Sequence, residues 1–401
     1  LLPAVRTGGH FMPRWLLPEN ISDVLPREAR RVEHLRRALI DLYRGYGYEL
    51  VIPPLIEHTE SLLTGTGNDL DLRTFKLTDQ SSGRLLGLRA DATPQVARID
   101  AHILNRQGVV RLCYVGSVLH ARPVHPLAAR EVLQIGAELY GLADRSADIE
   151  VLELATASLH LAGLSKVRLD LGHTGVVRGI LELAQATTSL VDDLLASLSA
   201  KDIPTLQQQS LPLSGDVRTA LLALARLNGG PEVLDEARKK LPATTAITAA
   251  LDELAVIVER CGADDVSIDL SDLHGYRYHT GVTFAVHTAA SPHSVLRGGR
   301  YDDIGKVFGR ARPAVGFSIY LRELAELVPA DTPRAILAPA SDEARLRALI
   351  AQLRAAGEIV VQSLPGEAQQ VHESEFVFDR VIEHSAGTWK VVTSRNNGQK
   401  T

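Results

Sequence analysis

From about residue 179 to residue 260 the sequence is rich in Leu and Ala and is punctuated by Pro204, Pro212, Gly229-Gly230 and Pro242, the pattern of successive short helices. On both sides of this block the chain reads differently. Short extended runs at 111–119, 131–140 and 166–172 precede it, and runs at 266–270, 282–287 and 314–317 follow it. Strands separated in this way form one sheet only if the helical block is an insertion between them. The pattern predicts an α+β fold: a mixed, mainly antiparallel sheet with flanking helices, split over 12–178 and 262–330, with a helical insertion at 179–261. Past Pro329 to Pro333, a strand at 334–338, a helix capped by Ser341 and carrying Leu346, Ile350 and Leu353, and a strand at 359–361 predict a small C-terminal α/β module over 334–401.

Finer features support the same division. Val32, Leu35, Leu39, Leu42 and Tyr43 recur at helical spacing after Pro26, and Gly45 and Gly47 close that helix. The following extended run, 51–56, is interrupted by Pro53-Pro54 and reads as an edge element. A helix followed by such a segment suits a dimer interface, and an ordinary sheet edge accounts for it equally. Runs at 75–78 and 84–88 around the turn residues 79–83 predict a hairpin, with a helix at 93–104 after it. The loop 122–129, with Pro123 and Pro126, joins the two long runs 111–119 and 131–140 as an antiparallel pair, and 147–161 reads as helix.

Composition narrows the function. Lys and Arg number 43 against 48 Asp and Glu, a formal charge of −5, so the chain exerts no general pull on polyanions, although a local basic patch stays open. Aromatic residues make up 4% of the chain, which leaves few rings to stack on exposed bases. Cys113 and Cys261 lie far apart with no C-x-x-C pairing, so they are expected to be core residues of a cytosolic protein. No apolar run reaches the ~18–20 residues of a membrane span, and a cytoplasmic location is expected. Met12, the one methionine, is read as the native start, with residues 1–11 a leader or an added remnant.

Several familiar motifs fail on spacing. Residues 299–306 put five residues, not four, between Gly and Gly-Lys and continue with Val307, which excludes a phosphate loop. Gly298-Gly299 there points to a tight turn or a close backbone approach. The pairs His120/His125 and His274/His279 lack zinc-site spacing and carboxylate company, and no G-x-S-x-G elbow is present, so no metal site is predicted. Asp91 follows a strand end, and Gln134 and Glu138 stand i, i+4 on a strand and so share one face. These polar groups fit a concave sheet face holding the amino group and imidazole of an amino acid; a solvated face fits the spacing as well.

Taken together, these segments resemble the class II aminoacyl-tRNA synthetase fold, and most closely the histidyl-tRNA synthetase core, over roughly residues 15–330. Residues 88–93 (Leu-Arg-Ala-Asp-Ala-Thr) look like the amino-group-binding segment of that family. Residues 134–138 (Gln-Ile-Gly-Ala-Glu) look like the strand beneath the histidine ligand, and 297–302 with 313–317 look like motif 3. The nucleotide-binding arginines of the family are replaced. His120 stands at the motif 2 Arg, Glu323 at the motif 3 Arg, and His274 at an Arg specific to the histidine enzymes; Arg322 and Arg277 neighbour two of these positions. Stabilising the transferring phosphoryl charge is most of what such a site does, and loss of one cation costs ~10²–10³ in rate.

The same departures, with 170–173 (Asp-Leu-Gly-His), 272–282 and 130–138, look like the regulatory-subunit family of ATP phosphoribosyltransferase, although His274 and Arg277 stand in the reverse of that family's usual order. That resemblance implies no catalytic residues in this chain, activation of a short catalytic subunit in a hetero-oligomer, and a share in histidine feedback. It also implies self-association as a dimer, no tRNA or membrane partner, and no cofactor here, with Mg²⁺ in the catalytic partner. Asp91, Thr93, Gln134 and Glu138 would hold histidine, Tyr278 and His279 would close the pocket, and Arg122 would pair with the carboxylate. A divergent histidyl-tRNA synthetase or other ATP-dependent ligase, and a stand-alone histidine sensor, remain as alternatives.

Overall fold

Alternation in two ten-residue strands, Val110–Leu119 and Glu131–Tyr140, organises the molecule. They pair antiparallel along their full length, from Val110 opposite Tyr140 to Leu119 opposite Glu131. Odd-numbered residues of the second strand, Ile135, Ala137 and Leu139, enter the main hydrophobic core. Its even-numbered Tyr140 faces a second cluster with Leu112, Tyr114 and Tyr301, so Gln134 and Glu138 look the same way by the two-residue period of a strand.

A computed structural model describes residues 15–64, 68–123, 125–126, 128–263, 265–273, 275–276, 278–329, 332–366 and 375–394. The expectations for residues 1–11, Met12, His274 and Arg277 fall outside these described residues. The chain divides after Val328 into two units. In the first, nine described strands form one sheet in the order Glu49–Val51, Val110–Leu119, Glu131–Tyr140, Ala314–Tyr320, Leu296–Arg300, Val282–His287, Arg168–His173, Val266–Asp269, Asn228–Gly229. Two neighbouring pairs are parallel, Glu49–Val51 with Val110–Leu119 and Arg168–His173 with Val266–Asp269; the others are antiparallel. Strands from before and after the helical block interleave in this order, so the sheet closes across it.

That block runs from Thr174–Ala184 to Thr245–Arg260, starting a few residues before the expected 179. Side chains of Thr187, Asp202, Ser214 and Thr244 cap successive helices by accepting from a backbone N–H in the first turn. Its buried Leu194, Leu221, Leu254 and Ile257 join the core under the sheet, together with Leu39 and Tyr43 of helix Pro26–Gly45 and Leu152 of helix Ser146–Leu161. The Gly229-Gly230 punctuation is not a plain loop, since Asn228–Gly229 adds the last short strand opposite Val266–Asp269.

The 51–56 run also resolves differently from a single interrupted strand. Glu49–Val51 forms the edge of the large sheet, while Ile56–His58 belongs to a three-stranded sheet with Leu85–Leu88 and Phe75–Thr78. The chain changes sheets at Pro53-Pro54, where no backbone N–H is available to continue either ladder. Thr93–Arg98 is α-helical and continues as a π-helical turn, Ile99–Leu104, which Asn105 ends in the left-handed region at φ 45°.

In the second unit Arg334–Ala338 lies parallel to both Val360–Gln362 and Val377–Ser385, and the latter pairs antiparallel with Thr388–Thr393. Helix Ala344–Ala355 buries Leu346 and Ile350 against Ile336, Ala338 and Ile382. Ser341 is not the helix cap. Glu343 takes that place, and Ser341 Oγ accepts from Glu343 N at 3.2 Å. Among the described residues no helix is long and apolar enough to cross a membrane.

Candidate functional site

A cavity of about 650 Å³ opens in the first unit, and Asp91, Thr93, Gln134, Glu138, Tyr278 and His279 all line it. Gln134 and Glu138 are almost fully buried, at 2% and 1% exposure, which rules out the reading of a solvated sheet face. Gln134 Oε1 accepts from Ala92 N at 3.0 Å, which fixes the amide so that Nε2 donates to Asp91 Oδ1, also at 3.0 Å. Thr93 N donates to the same Asp91 oxygen at 3.1 Å. Asp91 therefore has one oxygen anchored and a wall position in the cavity, an arrangement suited to an ammonium group.

Beside it, Thr93 Oγ1 donates to Glu138 Oε1 at 3.0 Å and Tyr301 donates to Glu138 Oε2. The Tyr114 hydroxyl shares a further hydrogen bond with Thr93 Oγ1 at 3.1 Å. Burial pushes the Glu138 carboxyl up to about 8, against the pull of the Tyr301 and Thr93 hydrogen bonds. Tyr278 stacks on Tyr301 with ring centroids 5.0 Å apart, yet its buried hydroxyl has no hydrogen-bond partner. An unmade bond of this kind costs roughly 1–3 kcal/mol, so the cavity holds a donor that a ligand can satisfy. Burial draws the His279 imidazole down to about 4, and its Nδ1 lies 3.3 Å from the Arg300 carbonyl, so the neutral ring donates there.

Glycines make room for this cluster. A side chain at Gly316, on the neighbouring strand, would collide with Glu138 Oε2. Gly298 and Gly299 lie within strand Leu296–Arg300 rather than at a turn; a Cβ on Gly299 would stand 2.7 Å from both His279 Nδ1 and the Val282 carbonyl. Close backbone approach, not chain reversal, is the use of that pair.

Arg122 is exposed and is not among the residues lining the cavity. Ala121 N is tied to the Arg73 carbonyl at 2.8 Å, and Arg130 donates to the carbonyls of His120 and Ala121 at 3.0 and 3.1 Å, so the chain leaves the site before residue 122. The described arginines that line the cavity are Arg73, at the end of helix Asn68–Arg73, for which periodicity gives no signal, and Arg297 of strand Leu296–Arg300. His120 is buried with Nε2 2.8 Å from Arg73 Nη2; burial and that guanidinium draw its imidazole down to about 4, leaving it neutral. Glu323 sits in the first turn of helix Leu321–Leu327, off the lining, with burial raising its carboxyl. Arg322 does not stand in for a lost cation, because it is engaged by Glu28 at 2.9 Å and Ser22 Oγ at 3.1 Å. Among the described lining residues, Arg73 and Arg297 face Asp91, Asp192 and Asp272, with Glu138 protonated at neutral pH, a balance that disfavours a polyphosphate.

The raised Glu138 carboxyl carries a pH dependence. An unfolded chain releases this proton near the ordinary glutamate value of about 4.3, whereas the folded chain keeps it to about 8. The favourable contribution of the protonated group is full below the unfolded value and is lost as pH rises toward 8. Glu138→Gln removes that loss, so the variant should gain stability over the wild type between pH 5 and pH 8, by up to about 1.4 kcal/mol per pH unit. Urea unfolding of both proteins across this range checks it, and a pH-independent difference would contradict it.

A family model described as histidyl-tRNA synthetase matches residues 20–324, which places the first unit in the class of synthetase-type cores. The fold is shared with histidyl-tRNA synthetase from Nostoc sp. PCC 7120, at TM-score 0.76 and 18% identity over 95% of this chain and 97% of that one. A second model, described as the ATP phosphoribosyltransferase subunit HisZ C-terminal domain, matches residues 333–392. The ATP phosphoribosyltransferase regulatory subunit of Ralstonia pickettii (strain 12J) is 56% identical over 383 residues, covering 95% of this chain and 98% of its own. A Bacillus halodurans structure titled ATP phosphoribosyltransferase regulatory subunit/histidyl-tRNA synthetase superposes at TM-score 0.80 and 30% identity, over 90% of this chain and 96% of that one. The chain belongs to the family of ATP phosphoribosyltransferase regulatory subunits.

Proposed function

We propose that this regulatory subunit activates no amino acid itself, binds free histidine in the cavity beside Glu138, and passes its occupancy to a short catalytic subunit that it activates. The observation that carries this reading is the makeup of the cavity wall. The groups suited to an amino acid, Asp91, Thr93, Gln134, Glu138 and Tyr278, line it, while His120, at the position where the resemblance implies a nucleotide-gripping arginine, is buried off the lining and neutral. Asp91 would take the ammonium, and Glu138 with Tyr278 the imidazole. Feedback follows if histidine binds the active and inactive assemblies unequally. The Mg²⁺ needed for phosphoribosyl transfer would reside in the catalytic partner.

Two measurements test this. Histidine-dependent ATP–pyrophosphate exchange by the isolated chain should be negligible, and exchange at synthetase-like rates would sink the proposal. Mixing the chain with the short catalytic subunit should raise the transferase rate and form a larger species, and histidine should lower that rate; histidine binding without any change in rate would favour the stand-alone sensor. Self-association as a dimer is part of the same proposal. Ile52, 78% exposed beside the sheet-edge strand Glu49–Val51, stands near the exposed Leu50, Leu55 and Ile56, an apolar edge of the kind that pairs with a second copy. The isolated chain should therefore run at twice the chain mass in light scattering, and Ile52→Glu should reduce it to a monomer.

A further inference from the structure

We infer that Arg73 is the residue that recognises the α-carboxylate of the bound amino acid, and that it restricts the cavity to ligands carrying a free carboxylate. This inference rests on the proposed histidine site and adds the group that selects among imidazole compounds. Arg73 lines the cavity with Asp91 and Gln134. Its Nη2 is steadied against His120 Nε2 at 2.8 Å, while its buried Nε has no hydrogen-bond partner. A guanidinium presents five donors in a planar fork suited to a carboxylate, so an orphaned Nε beside a fixed Nη is half of a receptor awaiting an acceptor. The other described arginine on the wall, Arg297, already gives its Nε to Ser294 Oγ at 2.5 Å.

His120 explains how a cation comes to stand here. The neutral imidazole's Nε2 lies 2.8 Å from Arg73 Nη2 and 3.1 Å from the Ala90 carbonyl, and the loop backbone locks the two residues together, Ala121 N donating to the Arg73 carbonyl at 2.8 Å. The positive charge is thereby supplied by the end of helix Asn68–Arg73 instead of by the long strand Val110–Leu119. The two wall guanidiniums, Arg73 and Arg297, are outnumbered by Asp91, Asp192 and Asp272, which leaves no surplus for a triphosphate. A zwitterion fits this balance, with its ammonium on Asp91 and its carboxylate on Arg73.

The experiment compares L-histidine with histamine, which lacks the carboxylate, by calorimetric titration of the full-length protein and of Arg73→Met, Arg73→Lys and Arg297→Met. Wild type should bind histidine at least 10-fold more tightly than histamine. Arg73→Met should bind the two alike, with histamine affinity nearly unchanged; Arg73→Lys should recover part of the preference, and Arg297→Met should keep all of it. Unaltered affinity for histamine also shows that the variant is folded. A preference that persists in Arg73→Met, or that is lost in Arg297→Met instead, overturns the assignment of Arg73 while leaving the histidine site standing. Failure of wild type to bind histidine overturns both.

Discussion

Glu138→Ala should weaken histidine binding by about 100-fold and raise the histidine concentration needed for feedback by a similar factor, without preventing assembly with the catalytic subunit. The side chain is buried to 1% exposure and holds Thr93 Oγ1 at 3.0 Å and the Tyr301 hydroxyl. Removing it strips the imidazole of its buried hydrogen-bond partner and strands two hydroxyls, each unmade buried bond costing about 1–3 kcal/mol. Each 1.4 kcal/mol is a factor of ten in affinity. Glu138→Gln separates shape from charge: it retains volume and a carbonyl acceptor, so it should lose less affinity than the alanine variant. Titration calorimetry on the isolated chain and inhibition curves on the complex read the two effects. Inhibition curves that coincide for wild type and Glu138→Ala would refute the role of this carboxyl.

Period and punctuation carried much of the fold. The strands from 110 to 140, the helix after Pro26 and the helical block from about residue 179 are each written in local pattern, because a two-residue or helical repeat fixes which side chains meet the core. What the pattern did not carry is pairing between distant strands. That Ala314–Tyr320 lies beside Glu131–Tyr140 follows from the right-sized apolar surfaces meeting in three dimensions. The hairpin of Val377–Ser385 and Thr388–Thr393 escaped notice because most of its residues are half-buried or exposed, so alternation between apolar and polar is blurred by Arg380, Glu383 and Lys390.

The site divides in the same way. Gln134 and Glu138 were legible because four residues along a strand return to the same face, and Asp91 because it follows a strand end, whereas Thr93 was implied only by the resemblance of residues 88–93. Arg73 was not, since its place depends on a short helix end meeting the backbone at Ala121. For Arg122 the carboxylate role was implied by the resemblance alone, and the residue lies off the cavity. The reason lies in loop geometry, namely Arg130 holding the carbonyls of residues 120 and 121 so that the following side chain faces solvent.

The largest stability effect is expected from Arg300→Met. Arg300 Nε and Nη2 reach the two oxygens of Asp148 at 3.0 and 2.7 Å, and the pair is buried, at 6% and 0% side-chain exposure. Burial pushes the Asp148 carboxyl up to about 6 and the guanidinium opposes that shift, so without Arg300 the carboxyl is left buried and unpaired. Breaking such a pair from one side costs about 3–5 kcal/mol. Arg300→Met/Asp148→Leu removes both charges and should recover most of the loss, since no unpaired charge then remains. Urea unfolding of the single and double variants measures this, and a loss below about 1 kcal/mol for Arg300→Met would show that the pair does not lock the strand. The consequence reaches the cavity. Arg300 Nη1 also donates to Asp302 Oδ1 at 3.3 Å, and that same oxygen accepts from Ala314 N at 3.0 Å. Tyr301 lies between these two anchored residues and donates to Glu138. Loosening Arg300 should therefore lower histidine affinity as well as stability, and the double variant, which lacks the grip on Asp302, should regain stability without regaining affinity.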